Sequence, residues 1–277
     1  MGRNGRTVCE GRGITMKKTY GVDIKWLAVS CFELRVGETT VVTDPYITEC
    51  VGTDCTWEDV EDCQIITLGH AHWDHITDIP RLGKKFNPLI LCGDHTAYPL
   101  TTWLNYSPTR VYPMNPGLEL DFGDIKIQAL YGRHTELGMG LNDLLRDRIG
   151  PNPICQSDPG IAALQGIGSL EYRNFLYTIP NGTKILLWGN DPTVDQINLC
   201  KALKPDIGLI QYSSRQDVLE ARAELAAEAG CKVLIPHHHD FKSVTDPAEL
   251  ERFGEAFLKR VPDGTFINPN HGEWIHL

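Results

Sequence analysis

Long apolar runs are missing from this chain. No stretch approaches the roughly 18 residues a helix needs to cross a bilayer, so no membrane span is expected. Basic charge is scarce: 26 Lys and Arg against 36 Asp and Glu leave a formal charge of −10. That disfavours a general nucleic-acid binder, which clusters cations against phosphates, but leaves room for a nuclease with a local basic patch. Paired cysteine spacing is also absent. The nine cysteines are odd in number and scattered without a C-x-x-C, which fits reduced thiols in a cytoplasm better than a disulfide framework. A zinc knuckle at Cys50, Cys55 and Cys63 is disfavoured on spacing. The first 20 residues lack the apolar centre of a signal peptide, and residues 1–15 read as a disordered leader or an expression remnant.

What the chain does have is a succession of short, β-branched and apolar runs punctuated by Gly, Asp and Pro. In the first half these are "DIKWLAVSCFELRV", "TTVVTDPY", "CQIITLGH", "PLILCGDH" and "IKIQALYGRH", with a hairpin expected around Gly37. "RNFLYTIP", "KILLWGND", "DIGLIQYS", "KVLIPHHH" and "GEWIHL" follow. Helices are expected in "TVDQINLCKALK", in "SRQDVLEARAELAAEAG" with Ser213 or Ser214 as cap and Gly230 as stop, and in "TDPAELERFGEAFLKRV" behind Asp246. Strands in both halves, with helices mainly after strands, predict two sheets packed together and covered outside by helices. Residues 135–170 break this rhythm and read as a weakly structured insertion, either a lid or binding loop or a surface contact.

The densest chemistry lies in "GHAHWDHITDIP", residues 69–80, where His70, His72, Asp74 and His75 occupy six positions. In a chain of this composition the ordered pattern H-x-H-x-D-H arises by chance on the order of once in a thousand. It follows an apolar run that reads as a buried strand, so the four ligand-type residues stand at a strand's end. Three more apolar runs finish the same way, at His134, at Asp191 and at His237, His238 and His239. Strand ends on one rim converge, so ligands from four segments can share one pocket. Even with one histidine counted from the last run, seven candidates exceed the four positions of a structural zinc and point to two ions. Asp191 is the natural shared ligand, because a carboxylate has two oxygens and an imidazole offers a metal one nitrogen.

"HAHWDH", followed by His134, the "GND" aspartate and the "PHH" segment, resembles the metallo-β-lactamase-fold hydrolases over most of residues 22–277. The resemblance implies an α/β (α+β) fold, a four-layer αββα sandwich, with one such domain over residues 16–277. It also implies a binuclear site: His70, His72 and His134 on one ion, Asp74, Asp191, His238 and His75 on the other, with Asp191 bridging. His238 is preferred to its neighbours because relatives carry the ligand two residues after the proline, here Pro236, and because strand alternation lets every second residue face the site. True β-lactamases of the family carry a cysteine in place of Asp191, so antibiotic hydrolysis is disfavoured. "TDPY", "IPHHHDF" and "PNHGEWIHL" look most like the branch containing L-ascorbate-6-phosphate lactonase.

The expected activity is therefore metal-dependent hydrolysis by a metal-bridging hydroxide, on a lactone or other carboxylic ester-like bond of a small metabolite, phosphorylated or not. The alternatives are a phosphodiesterase or nuclease, and a noncatalytic metal-binding sensor or scaffold. Two divalent ions are expected, zinc first, manganese or iron next. Asp74, as ligand and proton carrier, and His238 are the expected catalytic residues. Asp44 is expected to orient a ligand histidine or to form the turn before Pro45. Tyr46, Trp73 and Arg133 are candidate pocket residues. His237 and His239 are expected to back the site or lie at the surface, with His95 and His271 as weaker candidates. The resemblance further implies a cytoplasmic homo-oligomer.

Overall fold

The computed structural model describes residues 19–134, 153–189, 192–213, 215–240 and 247–277. One seven-stranded sheet has the order β14-β1-β2-β3-β4-β5-β6. Its strands are β1 (Asp23–Ala28), β2 (Cys31–Val36), β3 (Thr39–Thr43), β4 (Ile65–Thr67), β5 (Leu89–Cys92), β6 (Val111–Pro113) and β14 (Trp274–His276). The second, also of seven strands, runs β13-β12-β11-β10-β9-β8-β7. It comprises β7 (Glu119–Asp121), β8 (Lys126–Tyr131), β9 (Arg173–Thr178), β10 (Lys184–Trp188), β11 (Ile207–Gln211), β12 (Val233–His237) and β13 (Thr265–Phe266). The helices are α1 (Trp73–Ile76), α2 (Ile79–Phe86), α3 (Asp94–Thr102), α4 (Pro153–Ser157), α5 (Pro159–Gly168), α6 (Val194–Leu203), α7 (Gln216–Ala229) and α8 (Pro247–Arg260). Among the described residues, no helix is long and apolar enough to cross a membrane.

Side-chain alternation along the central strands explains the layering. Ile65 of β4, Ile185 and Leu187 of β10, and Val233 and Ile235 of β12 point into one core shared by both sheets. Their neighbours point outward: Ile66 packs with Ile76, Ile79 and Leu82 of the first helical layer, and Leu186, Trp188 and Leu234 pack with Leu219, Phe253 and Phe257 of the second. A strand buried on both faces has no polar side, which is why these segments read as unbroken apolar runs. The outcome is the expected αββα sandwich.

Chain direction then sets where the loops gather. β3, β4, β5 and β6 are mutually parallel, as are β10, β11, β12 and β13. β8 is antiparallel to β9, which is antiparallel to β10, so β8 also runs with β10. The carboxyl ends of β8 and β12 therefore share one rim of their sheet. At that rim the Arg173 amide donates to the Gly69 carbonyl (2.7 Å), tying the loop after β4 to the opposite sheet.

Several expectations need correction. "DIKWLAVSCFELRV" is two antiparallel strands, reversing at Val29 (φ 45°) and Ser30. The short edge strands β6, β7 and β13 carry too few residues for a periodic signal. α7 begins behind Arg215 without a side-chain cap; Ser213 Oγ accepts from the Arg215 amide (3.3 Å), Ser214 lies outside the described residues, and Gly230 ends the helix at φ 97°. Asp246, residues 1–15 and residues 135–152 also lie outside them. The described part of the expected insertion is not weakly structured: α4 and α5 pack Cys155, Ile161 and Leu164 against the first helical layer. The Asp158 carboxylate caps α5 by accepting from the Gly160 and Ile161 amides.

On the outer face of the first sheet, buried Lys25 pairs with buried Glu33 (2.8 Å) and with the more exposed Glu61 (3.0 Å). The Trp274 indole N–H, Arg35 and Lys25 together hold the Glu61 carboxyl at about 2. Because this value is depressed, the pairing contributes stability above the ordinary glutamate range and loses it as pH falls from 4.5 toward 2. Glu61→Gln is expected to leave a shallower acid limb in denaturant unfolding measured between pH 7 and pH 3. An acid limb as steep as wild type would contradict this role.

Candidate metal centre

The loop after β4 supplies the densest part of the site. His70 leaves the strand, His72 stands at the N-cap of α1, and Asp74 and His75 lie in that single-turn helix. All four side chains are buried. α5 buttresses the loop: Gln165 Oε1 accepts from the Trp73 amide (2.8 Å), and the Gly168 carbonyl accepts from the Ala71 amide (3.2 Å). His134 arrives from the end of β8, and its ring lies 4.6 Å from that of His72 and 5.2 Å from that of His70, centroid to centroid. His238 follows β12, with Nε2 3.5 Å from Asp74 Oδ2.

Two groups of three result, His70–His72–His134 and Asp74–His75–His238, each with its ligand atoms within 4.8 Å of one another. The groups abut, for the rings of His70 and His75 are 4.0 Å apart. His70 Nε2 and His72 Nδ1 approach to 2.7 Å. Metal–nitrogen bonds near 2.0–2.1 Å place neighbouring ligands of a tetrahedral ion about 3–4 Å apart, so both triads need little adjustment to close on a cation. His70 Nδ1 is buried with no hydrogen-bond partner, an arrangement that costs free energy for an imidazole left alone. Burial, then the surrounding imidazoles, holds His70 well below the ordinary histidine value, so it is neutral and available as a ligand. The donor set fits metal ions.

Electrostatics differ between the triads. Burial pushes the Asp74 carboxyl up, but His75 beside it and the bond from His238 outweigh that and hold it below the usual range. Burial pulls His75 down, while Asp44 and Asp74 raise it further. Asp44 (φ 39°) sits at the end of β3, where Oδ1 accepts from the Gly69 amide (2.7 Å) and Oδ2 lies 3.3 Å from His75 Nδ1. That contact pairs the Asp44 carboxylate with the His75 imidazole. Asp44 thus makes a turn and reaches a histidine at once.

The other candidates separate clearly. Tyr46 is buried, donates to the Glu49 carbonyl (2.8 Å) and meets Trp73 edge to face (5.2 Å). Arg133 is exposed beside His134. His95 is an exposed partner of Glu171 (3.2 Å) and joins neither triad. Asp191 lies outside the described residues. His237 and His239 are buried, not surface groups. His237 Nε2 donates to the Trp188 carbonyl (3.1 Å) and Nδ1 accepts from Ser30 Oγ (3.1 Å), while His239 packs on Trp26 (4.5 Å). Strand alternation is not what aims His238: it lies beyond β12 with φ 63°, and this left-handed residue redirects the chain. Tyr172 went unnoticed in the sequence. Its ring lies 4.7 Å from His70 and 6.1 Å from His134, forming a wall of the cluster. Gly189 makes the room, since a Cβ there would strike the Tyr172 hydroxyl. A glycine directly after the apolar run of β10 was the available signal.

Residues 23–144 match the family model described as the beta-lactamase superfamily domain. A UPF0173 metal-dependent hydrolase of Geobacillus sp. (strain WCH70) is 34% identical over 106 residues, which is 37% of this chain and 45% of that protein. The chain thus spans slightly under half the length of the curated relatives it matches. Among solved structures, Igni18, a metallo hydrolase from Ignicoccus hospitalis, aligns with a TM-score of 0.66 at 14% identity, covering 92% of this chain and 97% of that one. YhfI of Bacillus subtilis, a metallo-beta-lactamase fold protein, aligns at 0.62 and 13% identity, with 92% and 98% covered. Together with the two seven-stranded sheets and their outer helices, these likenesses establish a metallo-β-lactamase-fold protein.

Gly189→Ala is expected to push Tyr172 off the cluster and to cost about 1–3 kcal/mol in denaturant unfolding, as overpacking does. Tyr172→Phe, which removes the struck hydroxyl, should recover most of that loss in the double variant. Additive losses would show that the two residues do not compete for space.

Proposed function

We propose that this chain is a metal-dependent hydrolase with a two-ion centre, acting on a lactone or other carboxylic ester-like bond of a small metabolite. The observation that carries this reading is the pair of abutting triads at one rim of the sandwich. The description of its relatives as metal-dependent hydrolases supports it. The resemblance of "TDPY", "IPHHHDF" and "PNHGEWIHL" to the lactonase-like branch favours the ester-like bond.

In this reading His70, His72 and His134 hold one ion, and Asp74, His75 and His238 hold the other. Asp191 is the proposed shared ligand. Nitrogen and oxygen donors suit zinc, manganese and iron alike, with zinc the first choice for this histidine-rich set. Divalent cations there supply Lewis acidity, polarising a carbonyl oxygen and bringing the pKa of water toward neutrality. The chain's own residues do the rest. Asp74, ionised and within 3.8 Å of His75 and 3.5 Å of His238, would accept the proton released by the attacking water and pass it to the leaving oxygen. His238 stands on its other side. Asp44 holds the His75 ring from behind, which fixes its orientation and strengthens it as a donor. Tyr172 walls the cluster and restricts water.

Protein purified without chelator should carry two equivalents of metal by elemental analysis and hydrolyse a member of a panel of lactone, phosphodiester and thioester substrates. His72→Ala is expected to lose bound metal and at least about 100-fold in turnover together. Full turnover by metal-stripped wild type would refute the mechanism. Silence across the panel with two ions tightly held would favour a sensor, and phosphodiester cleavage alone would replace the lactone assignment.

A further inference from the structure

Behind His238 lies a set of buried polar groups that the proposed chemistry does not use. Asp240, almost fully buried, directs both carboxylate oxygens at the Val29 amide (3.0 Å each). His271 Nε2 lies 2.9 Å from Asp240 Oδ2. The Val29 carbonyl accepts from the His238 amide (2.9 Å) and from the Trp26 indole N–H (3.0 Å). Trp26 itself is stacked on His271 (4.0 Å, 22° between planes) and tilted against His239 (4.5 Å). The hydrogen bonds close a ring: residue 240 holds the amide of residue 29, whose carbonyl holds the amide of residue 238.

Two members of that ring are strained. His238 has φ 63° and Val29 has φ 45°. A left-handed conformation is uncommon for any side-chain-bearing residue and a genuine outlier for a β-branched one. Such residues persist where their surroundings over-determine them. At Val29 those surroundings are the buried Asp240 carboxylate on its amide and two donors on its carbonyl. Gly52 lets this part of the chain come close, because a Cβ there would overlap the Asp240 backbone carbonyl.

We propose that Asp240, backed by His271, is a positioning residue for His238: it locks Val29 in its left-handed turn, and the Val29 carbonyl in turn fixes the backbone of His238 so that its imidazole meets Asp74. This inference rests on the reading of His238 as a metal ligand only for its consequence, not for its geometry. The Asp240–His271 pair is joined to His238 through the backbone of Val29. It acts through backbone hydrogen bonds, so its effect falls on the ion held by Asp74, His75 and His238 and spares the ion of the other triad.

The test uses the full chain and two readouts. Amide hydrogen exchange at His238 in ion-free protein reads the positioning directly; competitive chelator titration with zinc reads the affinity of each ion. Asp240→Asn is expected to lose His238 amide protection and to weaken one of the two ions about 10–100-fold, the range found when groups supporting metal ligands are removed, while the other ion is unchanged. His271→Gln should do the same to a smaller degree. Adding Val29→Gly to Asp240→Asn is expected to restore both readouts in large part, because glycine takes positive φ without a side-chain penalty. A purely structural defect would instead worsen on deleting a buried valine side chain. Unchanged His238 protection in Asp240→Asn, or no rescue by Val29→Gly, overturns the proposal. Should Asp240→Asn fail to fold, unchanged protection in His271→Gln overturns it. Wild type that binds no zinc yet shows the expected exchange pattern refutes the metal reading and leaves the positioning intact.

Discussion

The constraint on which the site depends is the packing of five imidazoles and a carboxylate into one largely buried cluster at a single rim of the sandwich. Buried polar groups are costly unless satisfied, and titratable groups more so. Here the nitrogens of His70 and His72 face each other at 2.7 Å and the Asp74 carboxylate stands between His75 and His238. In the proposed two-ion reading, a cation in each triad would offset that cost by taking several lone pairs at once. The arrangement follows from direction as much as composition. β8 and β12 run the same way in their sheet, so His134 and His238 leave at the same end, and the bond from Arg173 to Gly69 brings the loop after β4 to meet them.

Backbone strain gathers at the same place. Six described non-glycine residues have positive φ; Asn87 and Lys204 end helices, where a left-handed residue is ordinary. Asp44, Val29 and His238 instead line the rim. Each is held by bonds that reach across chain segments: Asp44 to Gly69, Asp240 to Val29, Val29 to His238. Strain of this kind costs on the order of 1–3 kcal/mol per residue and is sustained by neighbours that leave no alternative. The surrounding layers supply that rigidity. α5 pins Trp73 and Ala71 from outside, while the shared core between the sheets fixes the strands from below.

Much of this was legible in the residues alone. The unbroken apolar character of β4, β10 and β12 marks strands buried on both faces, and from that the two-sheet, helix-covered architecture follows. The spacing of His70, His72, Asp74 and His75 sets them in one tight turn, so a shared cluster was readable without coordinates. Other features were hidden for a physical reason. The reversal at Val29–Ser30 lies inside a continuous hydrophobic stretch with no Gly or Pro to mark it, because its left-handed residue is a valine held by Asp240, 211 positions away. α4 and α5 sit among Gly and Pro residues that mimic a loop; Asp158 caps α5, and both helices pack against the first helical layer.

The sequence by itself determined that ligand-type side chains crowd residues 70–75 and follow the ends of apolar strands at His134 and after Pro236, since local spacing and apolar runs are properties of neighbouring residues. Which of three consecutive histidines after Pro236 meets Asp74 was decided by the tertiary structure. His237 is spent on Ser30 and Trp188, His239 on Trp26, and His238 alone is turned toward the rim by a positive φ that a hydrogen bond from its amide to the Val29 carbonyl sustains. The placement of Tyr172, through the space left by Gly189, belongs to the same category. Contacts of this kind join segments distant in the chain, and no local pattern encodes them.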